Sequence, residues 1–156
     1  GSVKAATCAL IERSLKTLSL RVHQQNKNAQ ASADFLQQHP RVQQVHYPGL
    51  TDHPGYDIAR QQMQGFGGML SFEPAVEGSA GAEQFMRKLK VITPAISLGG
   101  VESLICAPAK TSHIKLSTEE RKQVGVSDEL LRISVGIEDT EDLLEDLQQA
   151  LVMNND

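Results

Sequence analysis

Leu130-Leu131-Arg132-Ile133-Ser134-Val135-Gly136 alternates apolar and polar side chains with the period of a β-strand. Leu131, Ile133 and Val135 fall on one face and Arg132 and Ser134 on the other, because successive side chains of a strand point to opposite sides. With the apolar face on a core, the guanidinium of Arg132 faces outward into solvent or a cleft. A planar, permanently charged fork on a rigid strand suits a carboxylate, to which it can donate two parallel hydrogen bonds. The competing reading is an ordinary solvated arginine on an outer sheet face, and the residues alone leave both open.

Working outward, the segment after this strand is a helix: Asp139 or Thr140 can cap it, Glu141 and Asp142 suit its positive first turn, and Leu143, Leu144, Leu147, Ala150 and Leu151 form one apolar face. On the other side, Ser117-Thr118-Glu119-Glu120 has the pattern of a capping box. Thr93-Pro94-Ala95-Ile96-Ser97-Leu98-Gly99-Gly100-Val101-Glu102-Ser103-Leu104 frames a serine and a glutamate between a proline and a glycine pair. Paired glycines allow close backbone approach to a ligand or a second chain. A turn joining two strands explains the composition as well. Cys106, in the apolar run Leu104-Ile105-Cys106-Ala107, reads as a buried, inert thiol.

Further upstream the pattern is helical and strand-like by turns. Residues 2–39 contain neither Gly nor Pro, and Ile11, Leu15, Leu18, Val22, Ala29, Ala33 and Leu36 recur at helical spacing, which predicts one long helix, straight or bent, closed by His39-Pro40. Gln25 interrupts its apolar seam, so packing against its own domain or a neighbour is favoured over a free coiled coil. Strands are predicted at residues 41–47 and 67–72, with short helices at 56–63 and 80–89. Gly65-Phe66-Gly67-Gly68 has the glycines of a phosphate loop without its Gly-Lys-Ser/Thr, and reads as the start of a strand. A long leading helix followed by a small sheet covered by helices gives an α/β (α+β) fold. Gly1-Ser2 reads as the remnant of tag cleavage, residues 3–39 as the leading helix, and residues 40–156 as the α/β domain.

Composition narrows the function classes. The 156 residues are 40% hydrophobic and carry a net charge of −4, with basic residues spread along the chain, so neither a disordered tail nor a nucleic-acid partner is expected. No apolar run reaches the length of a membrane span. Cys8 and Cys106 stand far apart, and the five histidines show no ligand spacing, so neither a disulfide framework nor a metal site is expected. The default setting is reducing and cytoplasmic.

Four blocks in order resemble the C-terminal part of the Cys/Met-metabolism family of pyridoxal-phosphate enzymes, to which cystathionine γ-synthase, γ-lyase and β-lyase belong. They are Ser97 to Leu104; Pro108-Ala109 with Ser112-His113; Leu130 to Asp139; and Asp142-Leu143 with Asp146-Leu147 and Ala150-Leu151. Leu15-Lys16-Thr17-Leu18 and Val45-His46-Tyr47-Pro48-Gly49-Leu50 extend the likeness over nearly the whole chain. The resemblance implies the small C-terminal domain of the fold-type I, aspartate aminotransferase-like enzymes, joined by the leading helix to a large preceding domain. It implies a trans-sulfuration enzyme that acts on cystathionine, homocysteine, cysteine or O-acylhomoserine by β- or γ-elimination or replacement.

The resemblance also implies residue roles. Arg132 would grip the substrate α-carboxylate, Ser97 would lie beside that carboxylate and the cofactor, and Glu102 would face the distal amino group of cystathionine-like substrates. The lysine that holds pyridoxal phosphate covalently, with its partner aspartate and stacking tyrosine, belongs to the large domain, and no matching motif occurs in this sequence. The fragment alone is therefore expected to contain no catalytic residue and to be inactive. Lys110 lies outside any such motif, and Lys110-Thr111 departs from the smaller or apolar residues common in that stretch. The partners implied are an amino-acid substrate, the N-terminal cofactor domain and further copies of the chain, with a tetramer expected for the parent and a dimer left open for the fragment. A non-catalytic oligomerisation or interaction module on the same scaffold, and a small regulatory domain that binds free amino acids through Arg132, are the alternatives.

Overall fold

The computed structural model describes residues 4–152. Gly1-Ser2, read as a tag remnant, and Val3, at the start of the predicted leading helix, lie outside the described residues. In chain order the elements are α1 (Ala5–Leu15), α2 (Leu18–Gln38), β1 (Val42–His46), α3 (Tyr56–Gln62), β2 (Met69–Pro74), α4 (Gly78–Lys88), β3 (Thr93–Pro94), β4 (Leu104–Cys106), α5 (Thr118–Gln123), β5 (Leu131–Ser134) and α6 (Thr140–Leu151), with a single 3-10 turn at Pro108–Lys110.

The predicted single leading helix is two helices, broken at Lys16-Thr17. Local hydrogen bonds account for the break. Ser14 Oγ donates to the Leu10 carbonyl within α1, and at the break the Ser14 carbonyl accepts from the Arg21 guanidinium at 2.8 Å in place of a backbone N–H.

Five strands form one sheet in the order β1-β2-β5-β4-β3. All neighbouring pairs are antiparallel except β3 and β4. Sequence reading found β1, β2 and β5 and passed over β3 and β4. β3 has two residues and ends on a proline, and all three residues of β4 are buried, so neither shows the alternation that marks a half-buried strand. The strand that carries Arg132 is thus the fifth in sequence and the middle one in space, held by neighbours on both sides.

One face of the sheet carries the core. Leu70 and Phe72 of β2 and Leu131, Ile133 and Val135 pack with Ala29, Ala33 and Leu36 of α2, Phe85 of α4, and Leu143, Leu147 and Leu151 of α6. The alternation along β5 and the helical spacing along α2 and α6 therefore meet in one layer. Asp139 caps α6 by accepting from the Glu141 N–H at 2.9 Å, and Ser117 and Glu120 form the capping box of α5. The opposite face of the sheet carries a cross-strand row set by the register: His46 pairs with Ser71, Ser71 with Arg132, and Arg132 with Cys106.

Tyr47, after β1, is fully buried and donates to the Gly67 carbonyl at 2.9 Å. Burial, helped by the Asp34 carboxylate, pushes its phenol up to about 12 from an ordinary value of 10.0. An unfolded tyrosine sheds its proton about two pH units earlier, so this group's contribution to stability is complete below pH ~10 and is lost as pH rises through about 12. Urea unfolding across that interval should show a steep loss of stability that Tyr47→Phe makes shallower. An equal slope in both proteins would assign the loss to other groups.

Candidate functional site

Arg132 leaves the middle of the sheet on the face away from the helices. Its Nη2 donates to the Ile96 carbonyl at 3.2 Å, its Nε is buried with no hydrogen-bond partner, and no carboxylate pairs with it among the described residues. A half-buried guanidinium without a counter-charge is costly to hold, and an incoming carboxylate would relieve that cost.

The chain after β3 runs back across this face as the segment 95–103 and covers part of β5. Gly99 has a φ of +79°, where a side chain is strained, and its N–H donates to Ser134 Oγ at 2.9 Å. The Ile137 N–H donates to the Val101 carbonyl at 2.8 Å, and Gln25 Nε2 on α2 donates to the Gly100 carbonyl at 2.8 Å. A second glycine is fixed by contact: a Cβ on Gly136 would stand 2.2 Å from the Val101 oxygen, so turn and strand end meet backbone to backbone.

Beneath the turn lies a polar layer. Buried Ser103 accepts from the Gly136 N–H at 2.8 Å and donates to Glu138 Oε2 at 2.8 Å, while the Ser103 N–H donates to Glu138 Oε1. Fully buried Asn28 of α2 donates to the carbonyls of Gly136 and Glu138 and accepts from Thr140 Oγ1. Every partner in this layer is satisfied by another, which makes the end of β5, the turn and the start of α6 one rigid unit.

The structure brings Arg132 to the residue next to Ser97, through the Ile96 carbonyl. Ser97 and Glu102 are both exposed on the same turn, and the Glu102 carboxylate lies over Gly100. Ile96, Leu98 and Val101 present apolar side chains around them, 68, 56 and 48% exposed. Ser134 lies on the same sheet face as Arg132, as the alternation predicts, and is only 4% exposed because the turn lies on it. Lys110 forms an ion pair with Glu83 of α4, and that hydrogen bond and charge hold the Glu83 carboxyl below its ordinary range.

Sequence reasoning assigned no role to Ser103, Asn28 or Glu138, whose polar side chains look like ordinary turn or helix residues. Gln25 had a signal, since it interrupts the apolar seam of its helix. The polar groups the turn presents are one guanidinium, one hydroxyl and one carboxylate. This set fits the acid and ammonium ends of an amino acid, and it includes no amine for an aldehyde cofactor. No group of three or more His, Cys, Asp or Glu among the described residues could hold a metal, and no described helix is long and apolar enough to cross a membrane.

Comparison with known proteins finds relatives over most of the chain. Cystathionine gamma-lyase of Bacillus subtilis (strain 168) is 50% identical over 142 residues, covering 91% of this chain and 37% of that protein. Cystathionine beta-lyase of Lactococcus lactis subsp. cremoris (strain MG1363) is 47% identical over the same shares. The chain thus spans 37% of the length of these curated relatives. Among solved structures, a cystathionine gamma-lyase from Micromonospora echinospora superposes with a TM-score of 0.90 at 42% identity, over 96% of this chain and 39% of that one. Cystathionine gamma-synthase from Xanthomonas oryzae pv. oryzae, solved with cystathionine, superposes with a TM-score of 0.83 at 47% identity, over 89% and 36%. Residues 1–152 match a family model, and the chain belongs to that family: the Cys/Met metabolism PLP-dependent enzymes.

Proposed function

We propose that the chain forms the substrate-carboxylate side of the cleft in an enzyme that makes or breaks carbon–sulfur bonds in amino acids by β- or γ-elimination or replacement. The observation that carries this reading is the guanidinium of Arg132, unpaired by any described carboxylate and aimed at the Ser97 turn. Pyridoxal phosphate, held by the part of the protein outside this chain, supplies the sink for charge that develops at the α-carbon. The residues here do the orienting. Arg132 grips the α-carboxylate and so decides which bond at the α-carbon is aligned for cleavage, an effect of position rather than of proton transfer. Ser97 lies beside that carboxylate, and the exposed carboxylate of Glu102 attracts the distal ammonium of a cystathionine-like substrate.

In this reading the large cofactor domain covers the apolar side chains that α1 and the start of α2 leave exposed, such as Leu10, Ile11, Leu15 and Leu20. The whole enzyme assembles as a tetramer and works in the cytoplasm. The test is a competition assay on the full-length enzyme with cystathionine and O-acylhomoserine. At least one should be turned over and the other should inhibit it. Glu102→Gln should raise KM for cystathionine more than for O-acylhomoserine, which lacks the distal ammonium. No turnover of either substrate by the cofactor-loaded enzyme would refute the reading.

A further inference from the structure

We propose that Gln25 is a positioning residue for the carboxylate-binding turn, acting through the Gly100 carbonyl; the inference rests on the reading of Arg132 as the carboxylate clamp. Gln25 belongs to α2, on the far side of the chain from β3 and β4, yet its Nε2 reaches the Gly100 carbonyl at 2.8 Å across 75 residues of sequence. The stem of the side chain packs on Gly68, where a Cβ would come within 3.1 Å of Gln25 Cβ. Gly68 in turn accepts from the Val135 N–H at 2.7 Å, so the glutamine is wedged against the end of the strand that carries Arg132.

The Gly99-Gly100 pair has no side chains to fix its own conformation and is held from outside. Ser134 fixes the Gly99 N–H and Ile137 fixes the Val101 carbonyl, both from β5 or its extension. Among the described residues, the bond from Gln25 is what ties the Gly100 peptide to the helical layer. Gly100 is four residues from Ile96, whose carbonyl holds Arg132 Nη2. A rotated Gly99-Gly100 peptide therefore carries Ile96 and Ser97 away from the guanidinium. Without the bond the turn samples more conformations, and apparent affinity falls in proportion to the fraction that can bind. Once a carboxylate is seated it holds the turn itself, so turnover is spared.

The experiment is steady-state kinetics on the full-length enzyme with cystathionine, combined with thermal unfolding. Gln25→Met keeps the packing on Gly68 and removes the donor; it should raise KM about three- to tenfold, the worth of one neutral hydrogen bond, with kcat nearly unchanged. Gln25→Glu keeps the shape but sets oxygen against oxygen, and should raise KM further. The control Gln30→Met removes bonds from the same helix to Asp34 and the Gly49 carbonyl, neither of which belongs to the turn or the layer beneath it, and should leave KM unmoved. If either Gln25 variant retains the wild-type KM, Gln25 is an ordinary structural tie and the inference fails. Arg132→Lys separates the two levels: an unchanged KM there refutes the carboxylate clamp itself, whereas a raised KM there beside a normal one in the Gln25 variants refutes only the role of Gln25.

Discussion

Arg132→Ala in the full-length enzyme is expected to raise KM steeply and to cut kcat/KM by about two to four orders of magnitude. The estimate follows from two charge-assisted hydrogen bonds to the substrate carboxylate, each worth about 1.5–3 kcal/mol, with about 1.4 kcal/mol per factor of ten. Arg132→Lys should fall between, since it keeps the charge but loses the planar fork. Little stability should be lost, because the guanidinium has no ion-pair partner among the described residues and its one hydrogen bond goes to a carbonyl on an exposed turn. A substrate analogue whose α-carboxylate is converted to an amide discriminates between binding and folding effects. Wild type and Arg132→Ala should handle that analogue almost alike, as the interaction lost to the mutation is already absent. Near-normal kinetics of Arg132→Ala on the natural substrate, with the fold intact, would remove the carboxylate clamp from the mechanism.

The strand that carries Arg132 was legible because one residue in two along 130–136 faces the core, and that period survives folding intact. The same rule put Ser134 on the correct face but did not foresee its burial. Alternation predicts which side of the sheet a residue faces, and it is silent on what later covers that side; here a segment more than thirty residues upstream lies over the serine and takes its oxygen. Helix α6 was legible from its cap and its apolar spacing, both local properties. The break in the leading helix was not, because it depends on Arg21 reaching back seven residues to the Ser14 carbonyl rather than on a Gly or Pro. At the site, Arg132, Ser97 and Glu102 could be named from residue type and motif. The groups that hold their turn in place are separated from it by up to 75 residues; Gln25 shows in the sequence only as a gap in an apolar seam, and nothing in a pattern of neighbours names its distant partner.

The largest loss of stability is expected at one of these invisible residues. Asn28 is fully buried on α2, and all four of its hydrogen-bonding positions are used. Nδ2 donates to the carbonyls of Gly136 at 3.2 Å and Glu138 at 2.9 Å, while Oδ1 accepts from Thr140 Oγ1 at 2.7 Å and Gln24 Nε2 at 3.0 Å. Asn28→Ala leaves two carbonyls and a hydroxyl without partners around a side chain that is itself fully buried, and a cavity besides. The expected cost is about 3–5 kcal/mol, read as a lower midpoint in urea unfolding. Asn28→Asp separates polarity from volume. It keeps the shape but points an acceptor-only carboxylate at two carbonyl oxygens, so at neutral pH it should be at least as damaging as alanine. Burial and repulsion favour its protonated form, which raises its folded pKa above the unfolded value, and a protonated carboxyl can donate one of the missing bonds. Relative to wild type, the aspartate variant should therefore regain stability as pH falls through that raised pKa, while the alanine variant should not. Equal unfolding midpoints for the two variants at every pH would mean that the site needs the volume of Asn28 and not its hydrogen bonds.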